Sequence, residues 1–285
     1  MSNKELVSEL LKGGYDLHVH PSPSHFNRSL DDFDLVRQCD EAGMAGAMIK
    51  SHYDVTAGRA IVANKYAGAK AKLYGGMVLN WPVGGLNPYA VAAGLKMGVR
   101  IVWMPTRDSE NCLKYGHMNG DFFDRPPISI WDENGKLKPV LDDIFALVKE
   151  HNAWLATGHL SVEESLLLCK EARAQGVNTI MTHPDWSRTT MPLEQQLQLA
   201  KMGVLIEKVW LNVSKNLISA PDMAHSMKVL GAENVYMVTD LGQAGGQRPV
   251  DGMREFVSTM LDQGIAPEAI KTMLCTNPHR IAEGG

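Results

Sequence analysis

The sequence predicts an α/β chain folded as a (β/α)8 TIM barrel, and three observations carry that expectation. Short apolar runs alternate with segments of helical periodicity, the pattern of a parallel sheet covered by helices. Eight strand-then-helix units follow one another with no strong break in composition, and eight such units close a sheet into a barrel. No Gly-rich phosphate loop follows the first strand, which disfavours an open, doubly wound sheet. A length of 285 residues suits one barrel. We therefore read residues 1–285 as a single domain, with an inserted loop and hairpin after strand four, at about 105–139.

The first strand ends in Gly14-Tyr15-Asp16-Leu17-His18-Val19-His20-Pro21, where Pro21 and Pro23 stop it. A polar loop with His25 leads to a helix that starts near Ser29-Leu30-Asp31-Asp32, with Phe33, Val36 and Cys39 at helical spacing and Gly43 at its end. Ala45–Ile49 is the second strand, and it delivers Lys50, Ser51, His52 and Tyr53. A helix over about 58–68 precedes the third strand, Lys72–Leu79. Pro88–Met97 is the next helix and Val99–Met104 the fourth strand. The insertion holds Gly116-His117, Arg125-Pro126-Pro127 and a hairpin at Ile128–Trp131 turned by Glu133-Asn134-Gly135; a loop of this length in a compact domain commonly works as a lid. Leu141–Glu150 resumes as helix, and Ala153–Ala156 is a strand that ends in Thr157-Gly158-His159. Ser161-Val162-Glu163-Glu164 is a capping box. Val177–Thr182 is a strand ending at His183-Pro184-Asp185, Pro192–Met202 is a helix, and Val204–Ile206 is a strand followed by Glu207. The helix Pro221–Leu230 leads to the last strand, Val235–Thr239, which ends at Asp240-Leu241-Gly242. Helices over about 250–261 and 267–274 finish the chain.

Composition narrows the function. With 45% hydrophobic and 21% charged residues the chain has the balance of a globular protein, and a net charge of −4 argues against a general polyanion binder. No basic run interleaved with aromatics points to nucleic acid. The segment Met1–Lys12 is polar and amphipathic without the apolar centre of a signal peptide, and no stretch approaches a membrane span. The four cysteines, Cys39, Cys112, Cys169 and Cys275, form no Cys-x-x-Cys pair, which fits a reducing, cytoplasmic home. The 16 methionines read as core filler.

The residues that carry chemistry share one position. His18 and His20 end strand one, Lys50 and His52 strand two, His159 strand five, His183 strand six and Asp240 strand eight. Alternate residues of a strand share a face, so His18 and His20 can grip one ion. In a (β/α)8 barrel the strand C-termini meet on the face where active sites lie, so these residues are expected to form one metal site.

That ordered set resembles the amidohydrolase superfamily: His18-x-His20, His159, His183 and Asp240, with the closing Thr276-Asn277-Pro278-His279-Arg280-Ile281. The resemblance spans essentially the whole chain through scattered motifs. It implies a metal-dependent hydrolase with His18, His20, His159 and His183 as ligands, and with Asp240 both binding metal and taking a proton from the attacking water. The sequence departs from the pattern at strand four, which ends in Val102-Trp103-Met104-Pro105, where many binuclear members carry a carboxylated Lys or a Glu. Lys50 is the well-placed replacement: a carboxylated Lys50 bridges two ions, whereas an unmodified one is a cation that holds a substrate carboxylate or carbonyl. Glu207 is open between ligand, pocket group and ion pair.

The expectation is thus a hydrolase that uses one or two divalent ions, zinc first and manganese or iron next, to cut a C–N bond in a cyclic or linear amide of a small molecule. Asp240 and Lys50 are the catalytic candidates, and His52, Tyr53 and Arg188 the substrate-binding ones. Arg125 is a further candidate for a substrate anion, and Trp81 and Trp103 for the rim of the pocket. His25, His117 and His225 read as surface, loop and helix histidines, His151 as a helix C-terminal residue, and His279 as packing. The rivals are a mononuclear decarboxylase of an unsaturated or aromatic acid, a lactone or phosphoester hydrolase, and a barrel that binds metal or ligand without turnover. A homo-oligomer with no nucleic-acid or membrane partner completes the expectation.

Overall fold

The computed structural model describes residues 2–121 and 124–284; Met1, Gly285 and, within the insertion, Phe122 and Phe123 lie outside the described residues. Eight strands, β1 (Tyr15–Val19), β2 (Gly46–Ile49), β3 (Lys72–Val78), β4 (Val99–Trp103), β5 (Trp154–Ala156), β6 (Asn178–Met181), β7 (Leu205–Val209) and β8 (Val235–Val238), form one sheet in sequence order. The recorded pairings are parallel. Past β8, Asp240 N donates to His18 O at 2.9 Å and His20 N donates to Leu241 O at 2.8 Å. The extension of the last strand thereby pairs with the first, and the architecture is the expected (β/α)8 barrel.

The chain divides into two compact units, interleaved in sequence. One comprises Met1–Lys50, Gly58–Gly75 and Glu207–Gly285. Its first helix, Asn3–Leu11, opens with a capping box between Ser2 and Glu5 and packs on the helix Pro249–Asp262. The closing segment is pinned from below: Asn277 Nδ2 donates to Ala232 O at 2.8 Å and Val235 O at 2.7 Å, and His279 Nδ1 lies 3.0 Å from Tyr15 Oη. His279 packs structurally, as its place in the motif suggested.

The other unit comprises Ser51–Ala57 and Gly76–Ile206. Its core gathers Leu79, Val91, Val102 and Leu155 with Leu141, Ile144, Phe145 and Val148. The last four come from the helix Val140–Glu150, whose i, i+3, i+4, i+7 spacing makes one apolar face. The predicted capping box is present, with Ser161 and Glu164 satisfying each other's backbone at the start of the helix Val162–Ala174. Trp103 is fully buried, and a Cβ on Gly76 would lie 2.3 Å from its ring. It is a core residue, not the rim residue the sequence suggested.

The insertion departs from expectation in two ways. It contains a short helix, Glu110–Lys114, capped by Ser109, and the hairpin shrinks to one antiparallel bridge between Trp131 and Leu137. Asp132 explains the shrinkage: its Oδ1 accepts from Asn134 N and Lys136 N, each at 2.8 Å, so the tight side-chain turn replaces further strand pairing. Among the described residues no helix is long and apolar enough to cross a membrane.

Candidate metal centre

In the first unit, β1 presents the rings of His18 and His20 5.3 Å apart. Asp240 Oδ1 lies 3.2 Å from His18 Nε2 and 3.0 Å from His20 Nε2. Asp240 has φ +56°, a left-handed conformation that Asp and Asn tolerate better than most residues. Two residues on, a Cβ at Gly242 would sit 2.2 Å from His20 O, so only glycine lets the chain pass this close to β1. Each of the three side chains offers one ligand atom, and these atoms lie within 4.8 Å of one another. Bonds of about 2.0–2.1 Å at tetrahedral angles set ligand atoms about 3.3 Å apart. Two imidazole nitrogens and a carboxylate oxygen at these separations fit a divalent cation such as zinc.

The structure settles the position that the sequence left open. Glu207 lies within β7 and is fully buried, not beyond the strand end. Its Oε1 is 3.1 Å from His18 Nδ1, and Tyr236 Oη donates to its Oε2 at 2.6 Å. A carboxylate only accepts, so His18 keeps its Nδ1 proton and turns Nε2 toward Asp240. Proteins commonly orient a metal-ligating imidazole with such a carboxylate. In the protein alone, burial disfavours the His18 imidazolium, but Asp240 and Glu207 outweigh both burial and the neighbouring Lys50 and raise it to about 9. A cation on Nε2 therefore displaces a proton. Burial takes His20 down to about 3, which leaves it neutral. His18 and His20 overcome burial and hold Asp240 well below the usual carboxylate range. Glu207→Gln is expected to weaken the binding of Zn2+ or Mn2+ about 10–100-fold in a direct titration; an unchanged affinity would remove Glu207 as the orienting group.

Lys50 is buried, lowered to about 8 by that burial, and its Nζ lies 2.8 Å from His18 Nε2. The ammonium thus competes for the nitrogen that a cation would use. Behind the histidines, Asp16 ties β1 to the end of β8: Thr239 Oγ1 donates to its Oδ2 at 2.5 Å and Thr239 N to its Oδ1 at 3.0 Å.

The second unit holds the other predicted histidines. Ring centroids of His159 and His183 are 5.0 Å apart, His52 lies 5.9 Å from His159, and Trp186 packs at 4.7 and 5.2 Å from the first two. Gly158, at φ +60°, carries the chain past Met104 O, where a Cβ would stand 2.3 Å away; His159 N then donates to Pro105 O at 3.0 Å. His183 has φ +25°. Such strained residues survive where their surroundings over-determine them, often at functional positions. Thr189 Oγ1 donates its one proton to His183 O at 2.8 Å and lies 3.2 Å from His183 Nδ1. It therefore accepts from Nδ1–H, which leaves Nε2 with a lone pair.

Tyr53 and Arg188 are placed differently from these. Tyr53 Oη donates to Asp121 Oδ1 at 3.1 Å, and Arg188 Nη1 donates to Cys112 O at 2.8 Å and Gly116 O at 3.0 Å. Both hold the insertion. Arg125 pairs with buried Asp108, and Trp81 Nε1 donates to Pro126 O at 2.7 Å, so these two also serve that segment.

Sequence comparison places the chain. The model of DUF6282, a family of unknown function, matches residues 13–207. The chain belongs to DUF6282. No curated protein matches the sequence. The fold of this DUF6282 member is similar to that of an amidohydrolase from Pseudomonas aeruginosa, with a TM-score of 0.67 and 13% identity over 99% of this chain and 98% of the other. It is also similar to YJJV, a TatD homologue from Escherichia coli K12, with a TM-score of 0.59 and 12% identity over 95% and 98% of the two chains. For dipeptidase AC, a metallopeptidase, the values are 0.60 and 14% over 96% and 98%. At these identities the likeness is one of fold, and that fold is the (β/α)8 barrel.

Sequence reading missed the supporting residues Tyr236, Thr106, Asn80 and Thr189. One usable signal existed: Tyr236, Val238 and Asp240 alternate and so share a face if the strand is prolonged.

Proposed function

We propose that this DUF6282 chain is a metal-dependent hydrolase of a small molecule that cleaves a C–N bond in a cyclic or linear amide. The observation that carries the reading is the His18–His20–Asp240 cluster with Glu207 fixed on the far nitrogen of His18. His18, His20 and Asp240 would hold the cation, zinc first and manganese or iron by the same donors. His159 and His183 are assigned as further ligands on the strand-end rule for this fold. A bound divalent ion would lower the pKa of water to about 7 and polarise a carbonyl.

Within that chemistry Asp240 takes a proton from the attacking water and hands it to the leaving nitrogen. Glu207 and Tyr236 keep the His18 ring in place, and Asp16 keeps the end of β8 against β1. His52, Tyr53 and Arg188 are the proposed substrate-side residues, the last two acting through the insertion they hold. The reading includes a homo-oligomer in a reducing, cytoplasmic setting, which the four free cysteines suit. A mononuclear decarboxylase is the second reading, favoured by the end of β4 at Trp103, where no bridging carboxylate or lysine follows.

Lys50 decides between one ion and two. Neutral Lys50 Nζ adding to CO2 would form a carbamate and release one proton, and the new carboxylate would be a metal ligand where the ammonium now opposes a cation. Metal content per chain, measured by elemental analysis on wild type and Lys50→Ala, tests this. Two ions falling to one or none is the expected result. One ion unaffected by the substitution would favour the mononuclear reading, and no metal after reconstitution would end the hydrolase reading.

A further inference from the structure

We propose that His52 is held as the Nε2–H tautomer by Thr106 and Asn80, which makes it a fixed hydrogen-bond donor to a carbonyl or carboxylate oxygen of the substrate and not a metal ligand. The substrate side of this inference rests on the hydrolase reading above; the tautomer does not.

The argument starts at Asn80, which is fully buried. Its Oδ1 accepts from Thr106 N at 2.8 Å and Asp108 N at 3.3 Å. Two backbone N–H groups cannot face an amide NH2, so the orientation of the side chain is fixed. Its Nδ2 therefore donates to His52 O at 2.9 Å and to Thr106 Oγ1 at 2.8 Å. Thr106 is also fully buried, and its hydroxyl carries one proton. With Asn80 donating to Oγ1, the acceptor left for that proton among the described residues is His52 Nδ1, at 2.8 Å. A proton on Nδ1 would make Oγ1 accept twice and leave the buried hydroxyl proton without an acceptor, which is costly. Nδ1 is thus the acceptor, and in a neutral imidazole the proton sits on Nε2.

The three histidines divide by the same logic. His18 gives its Nδ1 proton to Glu207 and His183 gives its own to Thr189, so in the neutral ring of each the lone pair lies on Nε2. His52 is wired the other way round. An Nε2–H has no lone pair to offer a metal, but it suits the sp2 oxygen of an amide or carboxylate. His52 is half-buried and lies in the segment after β2, beside His159. The positioning residues come from the ends of β3 and β4, not from the segment that carries His52.

The test is the 15N spectrum of histidine-labelled, full-length protein, in which long-range proton–nitrogen couplings report the tautomer and His52→Gln identifies the signal by its loss. The expected wild-type signature is an unprotonated Nδ1 and a protonated Nε2. Thr106→Val keeps the shape but removes the proton donor, and is expected to bring the Nδ1–H form up to a comparable population; Thr106→Ser is expected to restore the wild-type pattern. Nδ1–H in the wild type, or an unchanged spectrum in Thr106→Val, overturns the proposal, and the wild-type spectrum decides even where the valine variant does not fold. Metal content supplies the second arm: His52→Gln is expected to bind as much metal as wild type, and a loss would make His52 a ligand. Failure of the hydrolase reading leaves the spectra interpretable, and failure of the tautomer leaves metal content and turnover to stand by themselves.

Discussion

Asp240→Asn is expected to lower turnover by at least about 10²–10⁴-fold, the range that a positioned acid–base group contributes, while the barrel stays folded. Asparagine is the substitution that isolates the charge. It tolerates the left-handed backbone, as aspartate does, so φ +56° need not change. What disappears is the negative charge that faces Nε2 of both His18 and His20 and that can carry a proton. The amide oxygen is a poorer ligand, so metal content is expected to fall as well. Turnover on a panel of amides and lactones, with elemental analysis of the same samples, checks both effects. Unchanged turnover with unchanged metal would sink the catalytic assignment of Asp240.

Asp108→Ala is expected to cost about 3–5 kcal/mol, the usual loss when one member of a buried ion pair is removed. Asp108 and Arg125 are 1% and 4% exposed, so the guanidinium left behind has little access to water. Arg125 keeps weaker partners, among them Asp121 at 3.3 Å and Arg107 O at 3.2 Å, which places the expectation toward the lower end. Asp108 Oδ2 also accepts from Trp81 N at 2.8 Å, and that donor loses its partner too. Denaturant unfolding of the full chain measures the cost, and limited proteolysis is expected to cut first within the insertion. A loss below about 1 kcal/mol would mean that the pair behaves as a solvated surface bridge.

The ends of the strands were readable because each carries its own stop: Pro21 after His20, Gly158 before His159, Pro184 after His183. Alternation then placed His18 and His20 on one face without any knowledge of the fold. Glu207 was misplaced for a physical reason. Glu207-Lys208 is a pair of adjacent charges, which ordinarily marks the end of a strand, yet both side chains are fully buried within β7. The hydroxyl of Tyr236 and the ring of His18 receive the carboxylate, and they come from other strands. The helices Glu110–Lys114 and Trp210–Ser214 are too short to show a period. The wiring of His52 was out of reach for a similar reason, since its partner Thr106 lies 54 positions away and loop geometry, not pattern, joins them.

The interleaving of the two units has a consequence for how the protein is made. The unit with Asp240 draws on residues up to Lys50 and again from Glu207 onward, whereas the other is nearly continuous and complete at Ile206. A ribosome that adds about 5–20 residues per second releases the continuous part several seconds before the rest. Helices and strands of the continuous part can pack during that interval, while β1 has β2 on one side and waits for the last strand on the other. His18 and His20 gain their carboxylate only after Asp240 emerges, more than two hundred positions later. A chain still in synthesis therefore has only the two histidines of the proposed ligand set, and the set is complete only once synthesis has passed the last strand, so on the proposed reading metal loading is a late event in the life of the molecule.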